Sequence, residues 1–445
     1  MKKEFFKIFL ILSISLFLVL LTGCQDKPVK NINKNSRPNI ILIMADDLGY
    51  ETLGTYGSTD YATPNLDRLA QEGIRFENCY STPLCTTSRV QLMTGKYNFR
   101  NYIGFGLLDP NEKTFGHYLQ EAGYKTAVVG KWQLLGNDYQ RELAGGKIGT
   151  WPSDAGFDDY CLWQIDQRGS RYKDPLLSIK DHGTKEYTGE YGPDKFVDHI
   201  ETFMESNLEN PFFVYYPMVL THDPFVPTPD QADFQGFDPA ARINDTTYFR
   251  HMVAYMDKLI GRITKKIDDL GIRENTLILF IGDNGTDRKV ISGNNGVKIA
   301  GRKGHPVEAG THVPFIANWK GTIAPGQSNP NLIDFTDFLP SLLEAAGVGI
   351  PDSVIMDGTS FFAQLTGNDY EPREWVFCHY DPRWGKFESV RYVHNTRWKL
   401  YADGGFYNLN NDPRETMPLN IEEQPEEVRH LFTKFGTVLD RMKPQ

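Results

Sequence analysis

The chain has 445 residues, of which 40% are hydrophobic and 23% charged, a composition typical of globular enzymes. Its formal net charge is −10, and it contains no basic run or Lys/Arg stripe, which argues against nucleic acid as a partner. An acidic total still permits anion binding where cations gather in one cleft.

The N-terminus has the features of a secretory signal. Three lysines precede an uncharged apolar run at residues 8–21, which is shorter than the roughly 20 residues that cross a bilayer. The run ends in Leu-Thr-Gly-Cys, which resembles a bacterial lipobox with Cys24 as the lipidated residue. We therefore expect a lipoprotein signal peptide at residues 1–23 and a polar tether at residues 24–36. The protein would be exported and anchored to a membrane through Cys24, in the periplasm, at the outer membrane or at the cell surface.

From residue 37 onward, short apolar runs alternate with helical patterns. Continuous apolar runs predict strands buried on both faces, at residues 39–45, 126–129, 212–216 and 276–281. A helix is predicted at residues 249–270, because apolar residues recur there at steps of three and four and a glycine follows. This alternation predicts an α/β fold with a large mixed, mainly parallel sheet sandwiched by helices.

The pattern changes after residue 347. Short alternating segments at residues 390–393 and 398–401, and a final helical pattern near residues 426–442, predict a smaller C-terminal α+β subdomain. We place the catalytic domain at residues 37–347 and this subdomain at residues 348–445.

Polar residues follow each of the four predicted strands; they are Asp46 and Asp47, Lys131, His222, and Asp283 and Asn284. Because the carboxyl ends of parallel strands meet at one edge of a sheet, these clusters predict one active site. Three carboxylates and an amide, without a Cys–His set, suit Ca²⁺ first and Mg²⁺ second, rather than Zn²⁺. Neighbouring residues of a strand face opposite sides, so the two adjacent aspartates can face one ion only if the chain bends there; Gly49 permits such a turn.

Residues 80–97 (YSTPLCTTSRVQLMTGKY) resemble the sulfatase signature, in which a Cys is followed by two residues, Ser and Arg, and a helix that ends in Thr-Gly-Lys/Arg. Cys85 and Arg89 occupy the matching positions. Further segments resemble the family in its order: TPNLDRLA at 63–70, GKW at 130–132, HDP at 222–224, GDNG at 282–285, Lys303 ahead of Glu308, and FYNLNNDPRE at 406–415. On these motifs the chain resembles the formylglycine-dependent type I sulfatases of the alkaline phosphatase-like superfamily.

The resemblance implies a role for each matching residue. Cys85 would be oxidised by a formylglycine-generating enzyme, and the hydrated aldehyde would be the nucleophile. Arg89 would orient this group, Lys131 and Lys303 would hold sulfate oxygens, and His222 would protonate the leaving group. The implied Ca²⁺ ligands are Asp46, Asp47, Asp283, Asn284 and the modified Cys85. The candidate substrate-binding residues are Gln133, Arg302, His305 and Arg383.

Three positions depart from the family pattern. Thr87 stands where the signature has Pro or Ala, which bears on recognition by the modifying enzyme. Gln133 stands where the family has a His assigned to collapse of the sulfated intermediate, and Gln cannot take a proton. Either another group, such as water or His305, does this work, or turnover is slow. Ala309 and His312 vary the family's Glu-Gly-Gly-x-Arg-Val-Pro segment.

The sequence thus predicts an enzyme that removes sulfate from a sulfated carbohydrate. One alternative is a phosphodiesterase or phosphonate hydrolase of the same superfamily, against which the lack of additional metal-binding Asp/His pairs argues. The other alternative is an inactive glycan-binding lipoprotein, which Gln133 supports and the otherwise complete set of charged residues opposes.

Overall fold

A computed structural model describes residues 37–241 and 243–443. The expectations for residues 1–36, including the signal peptide, the tether and the lipidated Cys24, lie outside these residues. The chain from Arg37 onward forms one compact unit. In the described part, no helix has both the length and the apolar character that crossing a membrane requires.

The described residues contain sixteen strands. In chain order they are β1 (Asn39–Ala45), β2 (Ile74–Tyr80), β3 (Lys125–Lys131), β4 (Asp159–Trp163), β5 (Leu176–Ile179), β6 (Gly183–Glu186), β7 (Phe212–Pro217), β8 (Thr276–Gly282), β9 (Ile291–Asn294), β10 (Val297–Ala300), β11 (His312–Asn318), β12 (Gln327–Asp334), β13 (Val376–Tyr380), β14 (Val390–His394), β15 (Trp398–Tyr401) and β16 (Phe406–Asn408).

Ten of these strands form one mixed sheet in the order β12-β2-β11-β8-β1-β7-β3-β4-β5-β6. The five strands from β8 to β4 run parallel, and β11, β5 and β6 are antiparallel to their neighbours. All seven residues of β1 are buried, as a continuous apolar run predicts for a strand covered on both faces. The four strands predicted from the sequence are β1, β3, β7 and β8, and they end at the same edge of the sheet.

Helices cover both faces of this sheet. In chain order, the α-helices of the described residues are α1 (Pro64–Gln71), α2 (Cys85–Thr94), α3 (Asn98–Asn101), α4 (Phe115–Glu121), α5 (Asp138–Leu143), α6 (Gly192–Ser206), α7 (Phe249–Asp269), α8 (Glu308–Thr311), α9 (Phe338–Ala345), α10 (Phe362–Thr366) and α11 (Glu426–Arg441). On one face α1, α6 and α7 share a core with β1 and β7, and α7 is the helix that the apolar spacing predicted. On the other face α2, α4 and α9 pack against the sheet. The predicted sandwich is therefore confirmed.

The last four strands form a small antiparallel sheet in the order β13-β14-β15-β16. Helix α11 packs on it through Phe435, Val438 and Leu439. A second side of the sheet contributes Cys378, Tyr380 and Tyr392 to a cluster that includes Leu84 and Cys85. The small C-terminal subdomain is confirmed, and it packs directly on the region of the candidate nucleophile. Its boundary at residue 348 stays a prediction.

Candidate active site

The carboxylates of the candidate metal site come from neighbouring strands. Asp46 and Asp47 follow β1, Asp283 and Asn284 follow β8, and all four residues are fully buried. Asp47 has a φ of 59°, so the chain bends at this residue and turns both adjacent carboxylates to one site. The bend lies at Asp47 itself; Gly49, which the sequence suggested for it, has an ordinary φ of −75°.

Hydrogen bonds hold these groups in place. The backbone N–H of Asp47 donates to Asp283 Oδ1 at 2.9 Å, and Asn284 Nδ2 donates to Asp47 Oδ1 at 2.9 Å. The Oδ1 atom of Asn284 is buried and accepts no hydrogen bond. Because an unpaired buried acceptor costs about 1–3 kcal/mol, this oxygen fits a cation ligand. Three carboxylates and this amide oxygen form the donor set that Ca²⁺ prefers.

The charges at this site strongly perturb two of the aspartates. Burial disfavours the ionised form of Asp46, but Lys131, His222 and Arg89 outweigh burial and hold its pKa well below the usual range. At Asp283, burial and the neighbouring Asp46 raise the pKa to about 8. A divalent cation nearby would favour the ionised form of Asp283.

Two lysines contact the aspartate pair. Lys131 ends β3, and its Nζ donates to both carboxylate oxygens of Asp46, at 2.9 and 2.8 Å. Lys303 lies in the loop after β10, and its Nζ donates to Asp47 Oδ2 at 2.6 Å. Asp47 and neighbouring charges outweigh burial and raise the pKa of Lys303, so this side chain stays cationic. Both lysines therefore contact carboxylates of the candidate metal site.

Helix α2 places Cys85 and Arg89 at the same edge. Cys85 is the first residue of the helix and is 2% exposed. One turn later, the NH2 atom of Arg89 lies 3.5 Å from Asp283 Oδ2 and 3.7 Å from Asp46 Oδ1. Thr87, the departure from the signature, donates its hydroxyl to the Leu84 carbonyl at 2.8 Å and so fixes the turn that precedes the helix.

His222 joins this group from the loop after β7. Its Nε2 lies 2.9 Å from Lys303 Nζ, and its Nδ1 lies 2.7 Å from the Asp223 carbonyl oxygen. The Asp223 contact favours a proton on Nδ1, which leaves Nε2 as the nitrogen that faces Lys303. Ligand atoms of His222, Asp46 and Asp47 also lie within 4.8 Å of one another. A hard cation favours the oxygens of this group, and the imidazole is then free for proton transfer.

A cavity of about 270 Å³ contains Cys85, His222 and Lys303 in its wall. Its other lining residues include four aromatic side chains, Phe105, Trp163, Trp384 and Phe387. The rings of Phe105 and Trp384 stack at 4.3 Å, which joins the C-terminal subdomain to the catalytic part of the cavity. A polar floor with aromatic walls is typical of a site for a small polar ligand.

The four candidate substrate-binding residues have different locations. Gln133 lines the cavity of Cys85, and its φ is 50°. Arg302 and His305 line a different cavity, of about 680 Å³, so His305 is not in the wall of the cavity that holds Cys85. Arg383 pairs with Asp381 at 2.9 Å, and half of its side chain is exposed. Its neighbour Trp384 lines the cavity of Cys85 instead.

Sequence reasoning missed Arg171, which lines the same cavity as Cys85. This arginine lies in the loop between β4 and β5, where no motif or periodic pattern singles it out. Its NH1 atom lies 3.9 Å from Asp46 Oδ2. The sequence alone does not identify Arg171 as a cavity residue, because its position depends on the path of this loop.

Comparisons with known proteins identify the family of this chain. The sulfatase family model matches residues 38–348, and the model of the C-terminal region of N-sulphoglucosamine sulphohydrolase matches residues 303–441. An N-acetylgalactosamine-6-O-sulfatase of Bacteroides thetaiotaomicron is 29% identical over 95% of this chain and 98% of its own. Human arylsulfatase A is 31% identical over 77% of this chain and 70% of its own. The crystal structure of Ps i-CgsB in complex with k-i-k-neocarrahexaose superposes with a TM-score of 0.73 at 24% identity, over 91% of this chain and 92% of that one. The chain therefore belongs to the sulfatase family, and it is a sulfuric ester hydrolase.

Proposed function

We propose that this sulfatase removes sulfate from a saccharide, with a formylglycine made from Cys85 as the nucleophile and Ca²⁺ held by Asp46, Asp47, Asp283 and Asn284. The observation that carries the proposal is the position of Cys85. It opens a buried helix whose Arg89 contacts Asp46 and Asp283, and it lines a cavity of saccharide size and polarity together with His222 and Lys303.

A thiol at this position does not provide the proposed chemistry, whereas its oxidised form does. A hydrated aldehyde can accept the sulfuryl group and then expel sulfate as the aldehyde re-forms, which divides one difficult displacement into two steps. Arg89 and Lys303 both lie close enough to Cys85 to interact with a charge on its side chain. These two cations would stabilise the ionised form of the hydrated aldehyde.

The remaining side chains act on the sulfate group and the leaving group. Lys131 and Lys303 present cationic donors where negative charge develops on the sulfate oxygens, and the buried site strengthens this interaction. His222 in its doubly protonated form would transfer the proton on Nε2 to the departing oxygen and keep the proton on Nδ1, which it donates to the Asp223 carbonyl. Bound Ca²⁺ would supply positive charge that polarises the sulfate and keeps the aspartates ionised.

Two features support a saccharide as the substrate. The B. thetaiotaomicron relative, which aligns over nearly the whole chain, is named for a sulfated amino sugar. The cavity combines aromatic rings with side-chain amides, here Gln133, Asn137, Gln140 and Gln164. Aromatic faces suit the apolar face of a sugar ring, and amides suit its hydroxyl groups.

Maturation and location are part of the same proposal. A formylglycine-generating enzyme would act on Cys85 before or during export, and Thr87 would be tolerated because it supports the same turn. The lipobox at Cys24 would anchor the mature enzyme to a membrane facing sulfated polysaccharide. The support for maturation is the signature at Cys85, and the support for location is the lipobox at Cys24.

Mass spectrometry of the peptide that contains Cys85 tests the nucleophile. Protein isolated from its native host is expected to show conversion of the thiol to an aldehyde, with a fraction present as the hydrate. Fully active protein that retains an unmodified thiol at Cys85 would show that the mechanism is wrong.

Release of inorganic sulfate from a panel of sulfated mono- and disaccharides tests the activity and identifies the sugar. Phosphate esters of the same sugars serve as competitors, and Cys85→Ala serves as the inactive control. We expect turnover of sulfate esters by the wild type alone. A preference for phosphate esters, or equal turnover by Cys85→Ala, would contradict the proposal.

A further inference from the structure

Arg171 is a buried cation that none of the family motifs accounts for. It is 8% exposed, and it lines the cavity that also contains Cys85, His222 and Lys303. Its NH1 atom is buried and makes no hydrogen bond. Because an unpaired buried donor on a charged group is costly, the position is explained best by a partner that arrives with the ligand.

Asp46 is not that partner. Its carboxylate lies 3.9 Å from NH1 of Arg171, beyond hydrogen-bond distance, and both of its oxygens already accept from Lys131. In addition, Asp46 belongs to the proposed metal site, where its oxygens are needed. Arg171 therefore lies beside the carboxylate without neutralising it by a direct bond.

The surroundings of Arg171 hold it in one orientation. Its guanidinium stacks on the ring of Trp163 at 4.0 Å, and the Trp163 indole N–H donates to the Gly169 carbonyl at 2.9 Å. The next residue, Tyr172, donates its hydroxyl to the Val219 carbonyl at 2.9 Å. A stacked guanidinium in a fixed loop loses little entropy on binding a ligand, which is the condition for a strong contact.

The location relates Arg171 to the scissile sulfate. Trp163 pairs with Lys131 in the register of β4 and β3, so Arg171 stacks above the strand next to the lysine that would hold sulfate oxygens. Gln133 follows on the same strand end, where its backbone N–H donates to the Gln164 carbonyl at 2.9 Å. The family's imidazole is missing here, and a permanent cation lies nearby.

We propose that Arg171 is a further substrate-binding residue, which donates hydrogen bonds to the sulfate group of the substrate. The inference deepens the proposed function and rests on it. Arginine keeps its proton, so Arg171 replaces the positive charge that an imidazolium would offer and not its capacity to accept a proton. The non-bridging sulfate oxygens, or those of the free sulfate product, are the acceptors.

The experiment compares Arg171→Met and Arg171→Lys in the calcium-loaded, formylglycine-containing enzyme. Binding of inorganic sulfate is measured by calorimetry and as competitive inhibition, and kcat/KM is measured on a sulfated monosaccharide. Arg397→Met is the matched control, because Arg397 is an exposed arginine stacked on Trp398 at 4.9 Å, away from this cavity. The Arg397→Met variant measures the effect of removing a stacked arginine that does not line this cavity.

We expect Arg171→Met to weaken sulfate binding and lower kcat/KM by about 10- to 100-fold each, the range for a hydrogen bond to a charged group. Arg171→Lys is expected to recover part of the loss, since a point charge replaces a planar fork. Thermal unfolding of both variants should match that of Arg397→Met. If Arg171→Met does not fold, the comparison rests on Arg171→Lys, for which a several-fold weaker sulfate affinity is expected.

Sulfate affinity equal to that of the wild type, in whichever of the two variants folds, would overturn the inference. The binding measurement also separates this inference from the proposed function. A wild type that binds sulfate through Arg171 but hydrolyses no sulfate ester would contradict the proposed function alone.

Discussion

Asn284 shows how one buried atom bears on the metal site. Its Nδ2 donates to Asp47 and to the Gly285 carbonyl, both at 2.9 Å, whereas its Oδ1 accepts nothing. The side chain is thus fixed by its donors with its acceptor free. A cation that binds this oxygen together with the three carboxylates stabilises the folded state, because the unfolded chain does not hold these four groups together.

Titration of metal-free protein with CaCl₂ is therefore expected to raise the unfolding temperature. At a Ca²⁺ concentration 100 times the dissociation constant, the added stability is about 2.7 kcal/mol. Asn284→Leu should reduce this gain. The control is Asn318→Leu, which removes another buried amide whose Oδ1 has no partner but which lies outside the site. An equal calcium effect in Asn284→Leu and the wild type would contradict the assignment.

Gln133 is the residue at which this chain departs most clearly from the chemistry of its family. It lines the cavity with a φ of 50°, a conformation that His tolerates better than most residues. Gln133→His is expected to raise kcat by about 10-fold, because a positioned general acid–base group contributes at least that much. The pH profile of kcat should gain a limb near pH 6 to 7.

Gln164→His is the matched control for this change. Gln164 lines the same cavity and has a similar φ, 57°. Steady-state kinetics from pH 5 to 9 would measure both variants. A gain in kcat shared by the two variants, or absent from Gln133→His, would show that position 133 has no special relation to the reacting group.

At the scale of elements, the site depends on how closely β3 approaches β7. Gly130 precedes Lys131 in β3 and has a φ of 124°. A Cβ atom there would lie 2.1 Å from the Pro217 carbonyl oxygen at the end of β7. Only glycine allows the two strand ends, and with them Lys131 and the loop of His222, to converge.

Gly130→Ala is expected to lower the free energy of unfolding by about 3 kcal/mol, from steric overlap together with backbone strain. Gly123→Ala is the control, since its φ of 87° imposes the strain alone in open space. Gly123→Ala should lower the free energy of unfolding by about 1–2 kcal/mol. Urea denaturation measures both, and equal losses would show that the contact with Pro217 does not limit this position.

At the scale of the whole molecule, the C-terminal sheet shares buried charged groups with the catalytic part of the chain. His394 of β14 packs edge-on against Tyr80 of β2 at 4.3 Å. Burial, with Lys399 nearby, lowers the pKa of His394 to about 3. Burial opposes ionisation of Glu308, but His312, His394 and Lys399 outweigh it and lower the pKa of Glu308 to about 2.

These shifts make the assembled molecule sensitive to acid. The unfolded chain protonates His394 below pH 6.5, whereas the folded protein does so only near pH 3, so stability is full above pH 6.5 and falls below it. The depressed pKa of Glu308 adds a loss below pH 4.5. Between pH 6.5 and pH 4.5, protonation of the unfolded chain at His394 alone should lower the free energy of unfolding by about 2 kcal/mol.

Chemical denaturation of the wild type and His394→Gln at several pH values measures this contribution. Over this range, the free energy of unfolding should depend less steeply on pH in His394→Gln than in the wild type. The difference in slope should be about 1.4 kcal/mol per pH unit, which corresponds to one proton. The control is His430→Gln, which replaces an exposed histidine of α11. Parallel curves for the wild type and His394→Gln would contradict the prediction.

The amino-acid sequence by itself determined the central strands and the polar residues that follow them. Strands β1, β3, β7 and β8 each contain a continuous apolar run, as is typical of strands buried on both faces. The meeting of Asp46, Lys131 and Asp283 at one sheet edge follows from parallel topology. The segment at Cys85 was identified by its residue order, because the chemistry at that position requires those residue types.

Only the tertiary structure decided which loop residues reach the cavity. Arg171 and Trp384 line it, while Arg302 and His305 line another cavity, although all four lie in loops with similar polar composition. The bend at Asp47 is likewise a single backbone angle. Loop paths and single φ values depend on contacts between residues far apart in the chain, which leave no period in the sequence, whereas strands and helices repeat their pattern at every turn.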